Sequence, residues 1–294
     1  MTFDIGDGVD SAVNYILDNF APLLDFIAAA IGTVTNGIQA VLLAIPLPLG
    51  LAIFVLLSLW RVGFGFAAFT AVSLWLVEHM GLWSAMMETL SLVLASTLVA
   101  MLIGLPLGIA MARSDRVAAV VRPVLDLMQT MPAFVYLIPA AMFFGLGAVP
   151  GTIATVIFSM PPVVRLTNLG IRQVHVEYIE AGNAFGCTAS QLLFKVQLPN
   201  AMPSIMAGIN QTIMLSLSMV VIASMIGAGG IGNTVLTGIQ RLDVGTGFEG
   251  GIAVVILAVI LDRITQSLGK ARTSLWSTVF RSRAQAPAAS TVTA

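Results

Sequence analysis

Apolar residues in this chain come in blocks of about twenty, separated by short polar breaks, and blocks of that length predict membrane-crossing helices. The first run, 26–45, is interrupted by Thr33, Thr35, Asn36 and Gln39, while Ile27, Ile31, Val34, Ile38, Val41, Leu42 and Ile45 recur at helical spacing. That pattern predicts an amphipathic helix lying at the membrane interface. After the IPLPLG break at 45–50, seven apolar segments follow, at about 47–61, 63–78, 88–111, 125–147, 150–169, 208–228 and 250–268. The chain is therefore expected to be an all-α polytopic membrane protein with about seven transmembrane helices. Its expected parts are an extracytoplasmic or interfacial segment 1–46, a transmembrane unit 47–269 and a small, polar tail 270–294 that reads as disordered.

Composition agrees. Hydrophobic residues make up 58% of the 294, mean hydropathy is +0.98 and only 9% are charged, against roughly a quarter charged in soluble domains. A net charge of −1 argues against nucleic-acid binding. The single Cys187 excludes an intrachain disulfide and a multi-cysteine metal site, and the two histidines, His79 and His175, make no ligand pair. No metal or cofactor is expected in this chain. Residues 1–25 carry five aspartates and no Lys or Arg, the opposite of a signal peptide's basic start.

Basic residues set the orientation. With the N-terminus outside and the C-terminus cytoplasmic, twelve of the thirteen Lys and Arg fall on or near cytoplasmic ends, with Arg241 the exception. Counting 26–45 as an eighth span would put the N-terminus inside and leave everything downstream unchanged.

The longest cytoplasmic connection in this arrangement is 170–207. Within it, Glu177 and Glu180 suit the start of a short helix, where carboxylates complement the helix dipole. Ala181 and Ala184 are small enough for another surface to approach, and Gly186 supplies a bend. Leu192, Leu193, Phe194 and Val196 start a second helix that Pro199 is expected to end. A short helix tied back to two spans is a lever presented to something in the cytoplasm.

Elsewhere, Gly227-Ala-Gly-Gly-Ile-Gly232 fits G-x-G-x-x-G, but an apolar span-length stretch precedes it where a nucleotide site needs a strand. It reads as a flexible outer end of the sixth span. No G-x-x-x-x-G-K-[ST] occurs, so the chain has no ATP site of its own to offer. Gly104 and Gly108 form a small-xxx-small pair that favours helix packing, and Pro106 and Pro139 are expected to kink their helices. Trp60, Trp75 and Trp83 lie near span ends, as interfacial anchors do. Asn210, Met214, Ser218, Val221 and Met225 share one face of the sixth span and are candidates to line a pathway. Phe134 and Tyr136 could approach it too, with Gln129 and Thr130, and aromatic faces suit a quaternary ammonium. Asp262 beside Arg263 reads as a local pair, and Glu88 as an outer-loop residue.

The spacing Glu180-Ala181-Gly182, three residues, Gly186, nine residues, Val196-Gln197-Leu198-Pro199 resembles the E-A-A/G-x3-G-x9-I/V-x-L-P signature of ABC-importer permeases. Residues 121–147, 198–232 and 238–245 further resemble the permeases of glycine betaine/proline betaine importers, and the likeness runs from about 20 to 276. The resemblance implies a type I importer fold in a bacterial inner membrane. It implies that Glu180, Ala181, Gly182, Gly186, Leu198 and Pro199 form the loop docking on a separate ATPase subunit, which holds the ATP and Mg. It also implies an extracytoplasmic solute-binding protein and a second copy of the chain as homodimer. Another small solute, such as an amino acid, is the alternative cargo. A permease driven by an ion gradient would need ionisable groups near mid-span, and the predicted spans hold none.

Overall fold

The computed structural model describes residues 5–269, and the chain described is helical from end to end. The tail 270–294 lies outside the described residues.

Helix α1 (Ile5–Ala44) is a single helix of 40 residues. Its Val13–Ala44 portion has the length and hydropathy of a membrane span, as the eight-span alternative for 26–45 expects. Of the polar residues that suggested an interface, Thr35 is buried, while Thr33 and Asn36 are exposed. The Thr35 hydroxyl is buried 3.3 Å from that of Thr152, and Thr33 donates to the Ala29 carbonyl. A crossing α1 would place the N-terminus on the same side as the 170–207 loop, the arrangement with one more span.

Helices α2 (Leu47–Arg61) and α3 (Phe64–His79) form a hairpin around Gly63, which sits at φ 129°, and are joined by a Ser58–Thr70 hydroxyl bond of 3.0 Å. At 15 and 16 residues each is about 23 Å long, short of a bilayer core of roughly 30 Å. As a hairpin the two leave the sidedness of everything downstream unchanged. Trp83 lies against Gly50 of α2, so it packs between helices instead of standing free as an anchor.

The core is built on α4 (Trp83–Arg113), α7 (Ala148–Arg172), α10 (Leu198–Ser218) and α13 (Val244–Gly269). Met86, Val93 and Met111 of α4, Val163 and Val164 of α7, Ile205 and Ile209 of α10, and Leu257 and Ile260 of α13 are buried in one cluster. Lipid supplies no hydrophobic drive between helices, so close approach through small residues holds such bundles together. Gly104 and Gly108 do this against α7, and a Cβ on Gly108 would stand 2.7 Å from both the Thr167 Cβ and the Val164 carbonyl. Pro106 lies inside a continuous α4 and Pro139 inside a continuous α6 (Ala133–Phe144); neither ends its helix.

The break in the expected 125–147 span falls at Pro132. Helix α5 (Asp115–Thr130) starts on the Ser114 hydroxyl as N-cap and stops before Met131, whose ψ of 136° is extended, as a residue preceding proline prefers. Helix α6 then leaves at 98° to α5. Because Pro132 has no N–H to give, carbonyls at the end of α5 are left over, and the Tyr136 hydroxyl donates to those of Leu127 and Met128. The expected straight span is an elbow.

A second correction concerns 208–228. Helix α10 begins at Leu198 and ends at Ser218, and a short α11 (Val220–Ser224) follows. Ser216 and Ser218 donate back to the Thr212 and Met214 carbonyls, a bond that competes with the helix ladder where α10 stops. By length and hydropathy, four described helices qualify as spans, five if the α5–α6 elbow counts as one; α2, α3 and α10 do not.

The glycine stretch at 227–232 is a tight pinned turn, not a loose end. Gly227, Gly229 and Gly230 have φ between 73° and 85°. The Gly230 N–H donates to the Glu88 carboxylate at 2.9 Å and the Ile231 N–H to the Thr89 hydroxyl at 2.8 Å. Glu88 and Thr89, both on α4, thus cap α12 (Ile231–Arg241), and Glu88 is no outer-loop residue. Replacing Thr89 by Val leaves the buried Ile231 N–H unpaired, at a cost of about 1–3 kcal/mol. The expected result is a lower melting temperature in detergent, and an unchanged one would refute the cap. Between α12 and α13, Asp243 accepts from the Thr246 hydroxyl at 2.7 Å and from its N–H at 3.2 Å, which holds its carboxyl below the usual range.

Candidate functional site

The 170–207 connection folds as a short protruding helix and a return. Helix α8 (Val176–Ala184) carries Glu177 in its first turn and Glu180 a turn later, on the solvent side. Its end is a Schellman closure: the Gly186 N–H donates to the Asn183 carbonyl at 2.9 Å and the Cys187 N–H to the Gly182 carbonyl at 3.0 Å. Gly186 holds the required left-handed conformation at φ 74°, with open space around it. Gly182 is buried for a different reason: a Cβ there would come within 2.7 Å of the Leu192 side chain. One glycine thus sets the direction of the chain and the other lets α8 lie against the return segment.

The return starts at Thr188, whose hydroxyl accepts from the Gln191 N–H at 3.3 Å while the Gln191 side chain accepts from the Thr188 N–H at 2.9 Å. This capping box opens α9 (Ala189–Gln191), and its signal, a Thr with Gln three residues on, lies within the signature's nine-residue gap. A π-helical segment, Leu192–Gln197, then runs straight into α10. Pro199 therefore does not end a helix; it sits in the first turn of α10, where its missing N–H is tolerated. Leu198 packs on the bundle core. So Glu180 and Ala181 lie on an exposed face, as does Pro199 at the start of α10, whereas Leu198 packs on the core and anchors the loop. Val176, Tyr178 and Phe194 are exposed, and Phe185 is 89% exposed. Exposed aromatic and aliphatic side chains clustered at one end of a molecule mark a contact surface.

The loop is tied to the bundle through Arg172, which sequence pattern did not flag. Its guanidinium donates to the Met111 carbonyl at 2.7 Å and to Asn168 at 2.9 Å, and pairs with Asp115 at 2.7 Å. It thus holds the end of α4, the start of α5 and the last turn of α7, immediately before α8. A second ion pair, Arg165–Asp126, joins α7 to the other end of α5.

The remaining candidate residues separate. Asn210 and Met214 line a cavity of about 500 Å³ between α10 and α13. Ser218 is exposed at the end of the same helix, on a face the monomer leaves uncovered, while Thr212, Ile213, Ser216 and Leu217 on the opposite face are buried. Val221 belongs to the separate α11, and Met225 follows that helix as its C-cap residue. Phe134 lines a different, apolar cavity of about 360 Å³ with Leu137 and Ile226. Tyr136 is turned into the α5–α6 elbow. Asp262 makes no ion pair with Arg263 among the described residues; it accepts from Asn210 and Gln266.

Residues 104–273 match the family described as binding-protein-dependent transport system inner membrane component. The chain is 51% identical over 263 residues to the glycine betaine/proline betaine transport system permease protein ProW of Escherichia coli, covering 89% of this chain and 74% of that protein. It is 49% identical to the glycine betaine transport system permease protein OpuAB of Bacillus subtilis, over 90% of this chain and 94% of that one. With the glycine betaine/carnitine transport permease protein GbuB of Listeria monocytogenes it shares 50% identity over 92% and 96%. The fold is similar to a solved structure of the inward-facing MetNI methionine ABC transporter, with a TM-score of 0.58 at 20% identity, covering 66% of this chain and 95% of that chain.

Proposed function

The chain belongs to the family of binding-protein-dependent transport system inner membrane components, and on that premise we propose that it carries glycine betaine, proline betaine or a related quaternary-ammonium solute into the cell as the permease of an ATP-driven importer. The observation that carries the cargo is likeness along nearly the whole chain: three relatives named for glycine betaine are 49–51% identical over 89–92% of it. The α8 geometry supports the mechanism. ATP is hydrolysed on a separate subunit that grips α8 of each of two copies of this chain. Closure of that subunit moves α8, and the motion enters the bundle by two routes, through Arg172 into α4 and α5 and through Leu198 into α10. A binding protein delivers the solute at the opposite end.

Glu180 faces outward from α8 with no ion pair among the described residues, so reversing its charge acts on the docking surface and not on the fold. In proteoliposomes holding this chain, its ATPase and its binding protein, Glu180→Lys is expected to lower betaine uptake and substrate-stimulated ATP hydrolysis by more than about tenfold, since misplaced charge at an interface costs several kcal/mol. Membrane insertion should be unchanged. Wild-type uptake by this variant would remove α8 as the docking element. Competition of labelled glycine betaine by amino acids, with none by other betaines, would reassign the cargo.

A further inference from the structure

The cavity between α10 and α13 lies at the same end of the bundle as α8, since its wall runs from Pro203 and Met206 to Gly269 at the end of α13. Behind Asn210 and Gln266 of its polar side stands Asp262. One carboxylate oxygen of Asp262 accepts from Asn210 Nδ2 at 2.8 Å, and both accept from Gln266 Nε2 at 2.8 Å. Both donors are neutral amides, and among the described residues Asp262 forms no ion pair. The carboxylate is thus oriented without being neutralised, unlike Asp115 and Asp126, which hold arginines. The Oδ1 of Asn210 is buried and has no donor, so the amide is committed to Asp262 through its nitrogen. Asn210 and Gln266 themselves form part of the cavity wall. Gln211 and Thr265 also line it, and the remaining lining is apolar, with Met206 and Met214 foremost; thioethers adapt to irregular apolar shapes.

A charged group near a membrane interior is expensive unless something pairs with it, and where no partner is built in, it marks a functional site. An unneutralised carboxylate beside a cavity with two methionines in its wall fits a cation whose surface is methyl groups. We infer that Asp262, held by Asn210 and Gln266, is a binding site for the quaternary-ammonium group of the transported solute at the α8 end of the pathway. This deepens the permease reading and rests on it.

The test is cysteine protection. Cys187 is the chain's one cysteine, so Cys187→Ser with Gln211→Cys puts a single thiol in the cavity wall. In the complete complex, alkylation of that thiol by a small maleimide is measured against tetramethylammonium chloride, sodium chloride at equal ionic strength, and tert-butanol as a neutral body of similar shape. Tetramethylammonium should slow alkylation saturably, by about tenfold when its concentration reaches roughly ten times its Kd, and the other two should not. Asp262→Asn should abolish the protection and lower maximal betaine uptake, and Asp262→Glu should restore part of both. Equal protection by tert-butanol, undiminished protection in Asp262→Asn, or no protection while wild-type betaine uptake is intact would each overturn the site and leave the permease reading standing. Protection that follows Asp262 in a complex that fails to import any betaine would support the site and sink the cargo.

Discussion

Gly186→Val is expected to abolish solute uptake while the protein still inserts and folds. The position is a left-handed C-terminal closure, with φ at 74°, and no atom lies within 4 Å of where a Cβ would stand. The penalty is therefore in the backbone alone. A β-branched residue in that conformation costs about 1–3 kcal/mol, and the closure can avoid the cost only by opening. Opening releases the bonds from Gly186 to Asn183 and from Cys187 to Gly182, and α8 then loses its set angle to the return segment. The bundle does not depend on this turn, so thermal stability in detergent should change little. Uptake and substrate-stimulated ATP hydrolysis should fall by more than about tenfold, because a lever displaced by an ångström or more no longer meets its partner. Asn tolerates the left-handed region, so Gly186→Asn should keep most of the activity. Loss in both variants would mean that the side chain obstructs the docking surface. Full activity in the valine variant would show that the angle of α8 does not matter.

The second large effect is on assembly of the bundle. Gly108→Val places a branched side chain where even a Cβ would lie 2.7 Å from the Val164 carbonyl and the Thr167 Cβ. A backbone carbonyl in the middle of α7 cannot turn aside as a side chain can, so α4 and α7 must separate. Overpacking typically costs about 1–3 kcal/mol and more when backbone must move. This seam is the centre of the core, so the variant is expected to melt well below the wild type or to be recovered in low yield. Gly251→Ala is the control: nothing lies within 4 Å of a Cβ there, and the residue is inside α13. Helix propensity alone then favours the alanine by up to about 1 kcal/mol. A Gly108→Val protein as stable as the wild type would mean that the α4–α7 approach is not tight. The same contact explains why Gly104 and Gly108 are used up inside the chain and are not free to pair two copies.

Where sequence reading succeeded, one type of residue had one local reason to be there. Apolar blocks demanded helices, Gly186 demanded a turn, and the spacing from Glu180 to Pro199 placed that turn between two bundle helices. It failed where a polar or special residue could be satisfied in more than one way. Thr35 reads as a water-facing position, but its partner is Thr152, more than a hundred residues on. Pro106, Pro132 and Pro139 are equivalent in sequence, yet only Pro132 makes an elbow, because Tyr136 is in place to occupy the carbonyls it leaves. The glycines at 227–232 looked loose, since Glu88 and Thr89, which pin them, lie on a different helix. Arg172 carried no pattern and Asp262 read only as a neighbour of Arg263; the first is defined by what α4 and α5 bring to it, the second by Asn210 on α10. Local chemistry, then, is enough to make this chain a helical membrane protein with a protruding helical loop. Which helices cross straight, which bend, where the loop is anchored and which carboxylate is left without a cation depend on contacts between residues far apart in sequence, and hydropathy gives a buried polar group the same value whether water or protein satisfies it.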